Sequence, residues 1–486
     1  MAIRTDDITA ALTAANVLVE IRGQLPPEVT SVEDDSRRVT AGGLFIAVRG
    51  SERDGHDYLD GAATAKAAAA VVEDPKRTSL PALVVRDGRK AAAIVAAAAY
   101  GWPVRDLRMI GVTGTNGKTT TVHVLRHLLD RSERRSASIG TVGVLIGTEG
   151  LPLEGGAGLT TPGPVELQRL LRSLVDSGVD QVAMEVSSHA LDQRRVEGLQ
   201  FEVAIFTNLS RDHLDYHRTM DEYRAAKVRL CEYLAPHGTV IVNADDPTWR
   251  SLVVSRRKVA FSVRVPGTEA HVQDVQYSPT GSTWTLVLGD ERQPVRLPLI
   301  GDFNVSNALA AAAAAYAIGL SASLIAERLA TLPQVPGRLE VVHENPTVLR
   351  DYAHTPDALH RALEAVRPFT RGRLIVVFGA GGDRDRGKRP EMGGIAERLA
   401  DHAIATSDNP RTEDPEAILD QIEAGMHGTN HERIEDRRDA IARALSMADS
   451  DDVVLLAGKG HETYQIRGTE KLPFDEKIIV AELARA

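Results

Sequence analysis

The strongest chemical signal in the chain is Gly111-Val112-Thr113-Gly114-Thr115-Asn116-Gly117-Lys118-Thr119, which fits the spacing G-x-x-x-x-G-K-[ST]. Glycines so spaced let backbone N–H groups converge on phosphate oxygens, and a helix starting at the lysine aims its positive end at the same anion. Gly114, Thr115, Asn116 and Gly117 would cradle a nucleotide, Lys118 would reach its terminal phosphates, and Thr119, followed by Thr120, would offer a hydroxyl to Mg²⁺. The plainer alternative is a glycine turn with a surface lysine. The flanks disfavour it: an apolar run at 108–112 precedes and a helical pattern at 119–129 follows, the strand–loop–helix the mechanism requires. Motors, switches, kinases and ligases all use such a loop, so the reaction stays open.

Two polar clusters narrow it. Glu185, in Glu185-Val186-Ser187-Ser188-His189, lies at the end of the apolar strand Val182-Ala183-Met184, so its carboxylate should emerge at a sheet edge beside the phosphate loop as a second Mg²⁺ ligand. The run 203–208 leads into Asp212-His213-Leu214-Asp215-Tyr216-His217, where two histidines and two aspartates fall within six residues. Singly each is an ordinary surface or capping residue; together at a strand end they point to metal or substrate.

These groups need a scaffold, and the rest of the chain describes one. Short β-branched runs alternate with alanine- and leucine-rich stretches, the pattern of strand–helix–strand units, so the fold class is α/β. At about 100–200 residues per domain, 486 residues make about three domains. Tyr100-Gly101-Trp102-Pro103 and Leu332-Pro333-Gln334-Val335-Pro336-Gly337-Arg338 stop regular structure. The expected domains are 1–106, an α/β unit; 107–337, a central doubly wound P-loop sheet; and 338–486, a Rossmann-like unit. A composition 43% hydrophobic and 26% charged excludes global disorder. The net charge of −10 offers no positive field for a polyanion, so no nucleic-acid partner is expected. One cysteine, Cys231, excludes an intrachain disulfide and a multi-cysteine zinc site. The acidic start and the lack of a long uncharged apolar run predict no membrane insertion and a cytoplasmic location.

With these motifs in place the sequence resembles the Mur ligase family, ATP-dependent amide-forming enzymes of peptidoglycan precursor synthesis. The resemblance rests on the phosphate loop through Thr120, Glu185-Val186-Ser187-Ser188-His189, residues 208–217, Asn304-Val305-Ser306-Asn307, Pro336-Gly337-Arg338 and Asp351-Tyr352-Ala353-His354-Thr355-Pro356. Within the family it is similar to the subgroup that joins meso-diaminopimelate to the γ-carboxyl of D-Glu in UDP-MurNAc-L-Ala-D-Glu through an acyl phosphate. The resemblance implies that Asn304, Asn307, Arg338, Asp351 and His354 contact ATP. It implies that Asp34, Ser36, Thr160, Thr161, Ser187, Gln193, Arg195 and His217 hold the UDP-linked dipeptide. Arg194, beside Arg195, is expected to be solvated. A second Mg²⁺ would sit near His213, and Lys227 matches a lysine that the family carbamylates with CO₂. From the bare residues Lys227 reads only as a solvated helix lysine.

The same resemblance assigns Arg384, Asp408, Asn409, Pro410, Arg411, Gly458 and Glu462 to diaminopimelate, with Asp408 expected to orient Arg411. Asp408-Asn409-Pro410-Arg411 has a physical rationale: the distal carboxylate of diaminopimelate can be taken bidentately by a guanidinium, and L-lysine has no such anion. The partners implied are UDP-MurNAc-L-Ala-D-Glu, meso-diaminopimelate and ATP, acting on a monomer. Rival readings are an L-lysine-adding ligase, a folylpolyglutamate synthase, and a P-loop switch or motor.

Overall fold

The computed structural model describes residues 3–50, 53–156, 158–278 and 280–485. Its strands assemble chiefly into three sheets. The first has five strands in the order Leu18–Arg22, Ala82–Val85, Ala69–Val72, Leu44–Ile46, Val32–Glu33, parallel except for its first pair. The second has eleven, and its parallel centre runs Arg135–Gly140, Val179–Glu185, Arg108–Thr113, Phe201–Phe206, Leu234–Asn243. The third has six, and four of its strands, Thr347–Asp351, Val453–Ala457, Leu374–Phe378 and His402–Ala405, lie side by side and parallel.

The parallel strands are buried on both faces, which is why they read as unbroken apolar runs. In the second sheet Ile110, Val112, Ala183, Val203 and Ile205 pack into one core. Their neighbours Met109, Val182, Met184, Ala204 and Phe206 pack into another. The helix Lys118–Leu129 covers the first face and lies against the helix Asp302–Ala317. In the latter, Ala308 through Ala315 are all buried; alanine is the best helix former and lets two backbones approach closely. That approach seats the phosphate loop at the sheet's carboxyl edge, between the strand Arg108–Thr113 and the helix Lys118–Leu129.

The sheets are less uniformly parallel than the α/β pattern suggests. In the second, Gly143–Ile146 and Leu151–Leu153 run antiparallel at one edge, and Ala270–Ser278, Gly281–Leu288 and Glu291–Leu297 form a meander at the other. The cause is connection length: only residues 289 and 290 separate the last two strands, and a parallel pair needs a crossover. Arg194 stays 37% exposed, in line with expectation, and still makes two ion pairs. It pairs with Asp87 (3.4 Å) and Glu197 (3.3 Å), tying the helix Gly88–Ala99 to the second sheet's loops.

Candidate active site

The carboxyl ends of the second and third sheets face one cleft of about 690 Å³. Thr113, Glu185 and Phe206 end strands of one sheet; Asp351, Phe378, Ala405 and Ala457 end strands of the other. Ligands of open parallel sheets bind at such ends, where strand order reverses. Here two sheets present theirs to the same space.

On the phosphate side, Thr115 through Thr120 line the cleft. Two glycines are required by shape. At Gly114 (φ +151°) an added Cβ would overlap the Thr207 hydroxyl, and at Gly117 (φ +84°) it would lie 2.3 Å from Asn307 Oδ1. Asn116 N–H donates to Asn208 Oδ1 (2.9 Å), pinning the loop to the neighbouring strand end. Lys118 Nζ donates to the carbonyls of Gly114 (2.9 Å) and Thr115 (2.7 Å). Burial lowers its pKa, while Glu185 and Asp212 oppose that shift. Asn307 and Arg338 reach the cleft, whereas Asn304 is buried behind it, accepting from Asn307 Nδ2 (3.2 Å). Arg338 donates to Thr119 Oγ1 (2.8 Å) and lies over the Tyr352 ring (4.7 Å). Asp351 and His354 complete this wall.

The donor chemistry suits Mg²⁺. That ion takes hard oxygens, keeps waters, and uses one or two carboxylates plus phosphates rather than an all-protein cage. Thr119 Oγ1 and the buried Glu185 carboxylate supply such oxygens, and among the described residues no cluster of three His, Cys, Asp or Glu could hold a metal alone. Glu185 is held by Thr141, whose N–H donates to Oε1 (2.8 Å) and whose hydroxyl donates to Oε2 (3.1 Å). Lys227 is 1% exposed and lies just beneath the loop, donating to the Gly114 carbonyl (2.8 Å). Burial, and then Lys118, push its pKa well below the ordinary lysine value. A buried amine so shifted is unlike a solvated helix lysine, and it is suited to attack CO₂.

His213 lies on the cleft wall, edge-on to His189 at 4.8 Å between centroids. Burial lowers the pKa of both, His189 to about 4. Thr160, Thr161, Ser187 and Arg195 line the cleft. Gln193 stands one step back, accepting from Arg195 Nε (3.0 Å) and Nη2 (2.7 Å), while Arg195 Nη1 donates to the Thr161 carbonyl (2.9 Å). His217 faces inward to Ser188 Oγ (2.9 Å) and does not reach the cleft. Asp34 and Ser36, from the first sheet's loops, also lie outside the cleft lining; burial raises the Asp34 pKa, with Arg195 among the groups opposing it.

Three loops at the third sheet's carboxyl edge make the far wall. Arg384, Asp408, Asn409, Arg411, Gly458 and Glu462 line it, and Pro410 turns away to accept the Glu413 N–H (3.2 Å). Arg411 sits at φ +52° and donates to the Gly382 carbonyl (2.8 Å). Asp408 does not orient Arg411: it accepts instead from the buried Lys459 ammonium (3.4 Å), whereas Arg411 donates to backbone carbonyls. Several contributors went unread in the sequence: Thr141, His461, Lys388 and Lys459. His461 Nε2 donates to the Thr141 carbonyl (3.0 Å), and Lys388 donates to the His354 carbonyl (2.9 Å). The Gly458-Lys459-Gly460-His461-Glu462 loop, glycine-flanked and charged, was the available signal for two of them.

A phosphate loop facing, across one cleft, a second sheet that presents arginines and carboxylates defines a nucleotide-dependent ligase. The chain belongs to the Mur ligase family. It matches the family descriptions "Mur ligase family, catalytic domain" over residues 28–110, "Mur ligase middle domain" over 112–315 and "Mur ligase, glutamate ligase domain" over 337–460. It is 44% identical over 465 residues, 93% of this chain and 94% of the relative, to the UDP-N-acetylmuramoyl-L-alanyl-D-glutamate–2,6-diaminopimelate ligase of Geobacillus thermodenitrificans. A solved structure of a ligase of that same description is 32% identical, with a TM-score of 0.67 over 100% of this chain and 99% of that one. MurF ligase from Thermotoga maritima, solved in complex with ADP, shares the fold at 21% identity and TM-score 0.65, over 94% of this chain and 98% of that one.

Proposed function

We propose that this protein is an ATP-dependent amide ligase that joins meso-diaminopimelate to the γ-carboxyl of D-Glu in UDP-MurNAc-L-Ala-D-Glu. The observation that carries the reading is the single cleft. It gathers phosphate-binding, acceptor-binding and amino-acid-binding groups on facing sheet ends, so that three substrates can react without leaving it.

The γ-phosphate of ATP passes to the D-Glu carboxylate, giving an acyl phosphate and ADP. The amine of diaminopimelate then displaces phosphate, forming the amide and releasing a proton. Two anions must meet in the first step, so cations are needed where charge gathers. The Lys118 ammonium exchanges its loop carbonyls for phosphate oxygens. Arg195, already aimed by Gln193 and the Thr161 carbonyl, clamps the acceptor. Asn307, Arg338, Asp351 and His354 hold the nucleotide from both sheets.

Thr119 and Glu185 would hold a first Mg²⁺, and His213 with carbamylated Lys227 a second. Such ions neutralise phosphate charge when bound. Carbamylation joins the neutral Lys227 amine to CO₂ with loss of a proton and turns it into an anionic oxygen donor; the nearby Lys118 ammonium balances the new charge. On the far wall Arg411 and Arg384 take the distal carboxylate, and Glu462 takes an ammonium. The UDP moiety lies toward Asp34 and Ser36, outside the reacting centre.

ADP release with UDP-MurNAc-L-Ala-D-Glu and, in turn, meso-diaminopimelate, L-lysine and L-glutamate tests the reading. Turnover dependent on the UDP-linked acceptor and fastest with diaminopimelate is expected. ATP hydrolysis indifferent to both substrates would overturn it in favour of a P-loop switch.

A further inference from the structure

The geometry points to Lys459 as the positioning residue that sets the charge and shape of the amino-acid pocket, and thereby its preference for diaminopimelate over L-lysine. The inference rests on the substrate reading above. Lys459 is 0% exposed and does not line the cleft, so it touches no substrate. Its ammonium has three N–H donors, and three acceptors surround it: Glu462 Oε2 (3.0 Å), Asn409 Oδ1 (3.0 Å) and Asp408 Oδ1 (3.4 Å). All three residues do line the cleft. One hidden cation therefore reaches three pocket side chains that come from two separate loops.

Its bonds fix orientation. Asn409 Oδ1 also accepts the Ile466 N–H (2.9 Å), and Asn409 Nδ2 donates to Glu462 Oε2 (2.9 Å), so the amide cannot flip without losing bonds at both ends. Glu462 Oε2 thus receives two donors, while Oε1 has no protein hydrogen bond among the described residues and is left for a substrate ammonium.

Its charge fixes selectivity. Two carboxylates, Asp408 and Glu462, against one ammonium leave a net charge of −1 in this cluster, enough to receive one substrate ammonium. Diaminopimelate carries two carboxylates and two ammonium groups, whereas L-lysine carries one carboxylate and two. Without Lys459 the cluster becomes more negative. It then repels the distal carboxylate that Arg411 and Arg384 must hold, and it suits the more cationic L-lysine. Desolvation raises the Asp408 pKa and Lys459 is the largest influence lowering it, in keeping with a carboxylate kept ionised by this neighbour.

The test uses the full chain with ATP and UDP-MurNAc-L-Ala-D-Glu, measuring kcat/KM for diaminopimelate and for L-lysine. Lys459→Met should raise KM for diaminopimelate at least about tenfold and lower the diaminopimelate-to-lysine ratio by a similar factor, with KM for ATP within about twofold. Lys459→Met combined with Asp408→Asn restores the −1 balance and should recover most of the ratio. That double variant carries the test if the single one does not fold. An unchanged ratio in Lys459→Met, or a ratio not recovered in the folded double variant, overturns the proposal alone. A wild-type chain that uses neither amino acid overturns the substrate reading and this inference with it.

Discussion

The two walls of the cleft are built on opposite plans. The loop at the centre of the phosphate wall is contiguous in sequence, and it offers mostly backbone N–H groups, shaped by glycines and backed by two tightly packed helices. The amino-acid wall is drawn from loops far apart in the chain, and its groups are side chains held by specific partners: Arg411 on the Gly382 carbonyl, Glu462 and Asn409 on Lys459. A backbone cradle suits phosphate, which every nucleotide presents alike. A lattice of paired charges suits discrimination, because moving or deleting one charge changes which amino acid fits. Thr141 and His461 join the two walls, since the carbonyl that accepts His461 belongs to the residue that holds Glu185.

Lys227→Ala should break the phosphate wall most completely, lowering turnover by roughly a thousandfold through loss of an electrostatic group at the reacting phosphate. Turnover assays with and without added bicarbonate check it, and a fully active variant would refute the carbamate assignment. Next, Arg411→Ala should act on the other wall alone. A lost charge-assisted pair of about 1.5–3 kcal/mol corresponds to roughly ten- to a hundredfold weaker use of diaminopimelate, with L-lysine little affected. Equal loss for both amino acids would show that the far wall does not discriminate in this way.

Gly117→Ala tests whether the phosphate wall depends on backbone shape. Its left-handed φ and the Asn307 oxygen 2.3 Å from the added Cβ should cost about 1–2 kcal/mol in stability. KM for ATP should rise while that for diaminopimelate holds, measured by melting and by initial rates. The smallest effect concerns acid. His123, buried in the helix Lys118–Leu129, has its pKa pushed down to about 3 by burial first and Arg126 next. The unfolded chain takes up that proton first, so stability is intact above the ordinary histidine value of about 6.5 and is lost as pH falls toward 3. Melting between pH 7 and pH 5 should show a loss on the order of 1–2 kcal/mol, and His123→Gln should diminish it.

The phosphate wall was legible because its requirements are local. Gly114, Gly117, Lys118 and Thr119 must be neighbours for a loop to close on an anion, and the flanking apolar runs announce the strand and helix. Glu185 and His213 could be placed near it because strand ends are readable from where apolar runs stop. The amino-acid wall is readable only through family resemblance, and even there Asp408 pairs with Lys459 rather than with the Arg411 beside it in sequence. No spacing rule links residues 408–411 to 458–462; the hydrogen-bonded order of Val453–Ala457, Leu374–Phe378 and His402–Ala405 does, since the two segments follow the outer strands of that trio.

The sequence by itself determined the α/β class, the phosphate loop and the chemistry available at each strand end, since all three follow from short-range periodicity and residue type. Tertiary structure alone decided that Lys227 is buried beneath that loop, that Lys459 is a hidden counter-charge, and that His461 reaches Thr141 across the cleft. Burial and pairing are properties of what the rest of the chain packs around a side chain. A lysine's letter carries neither.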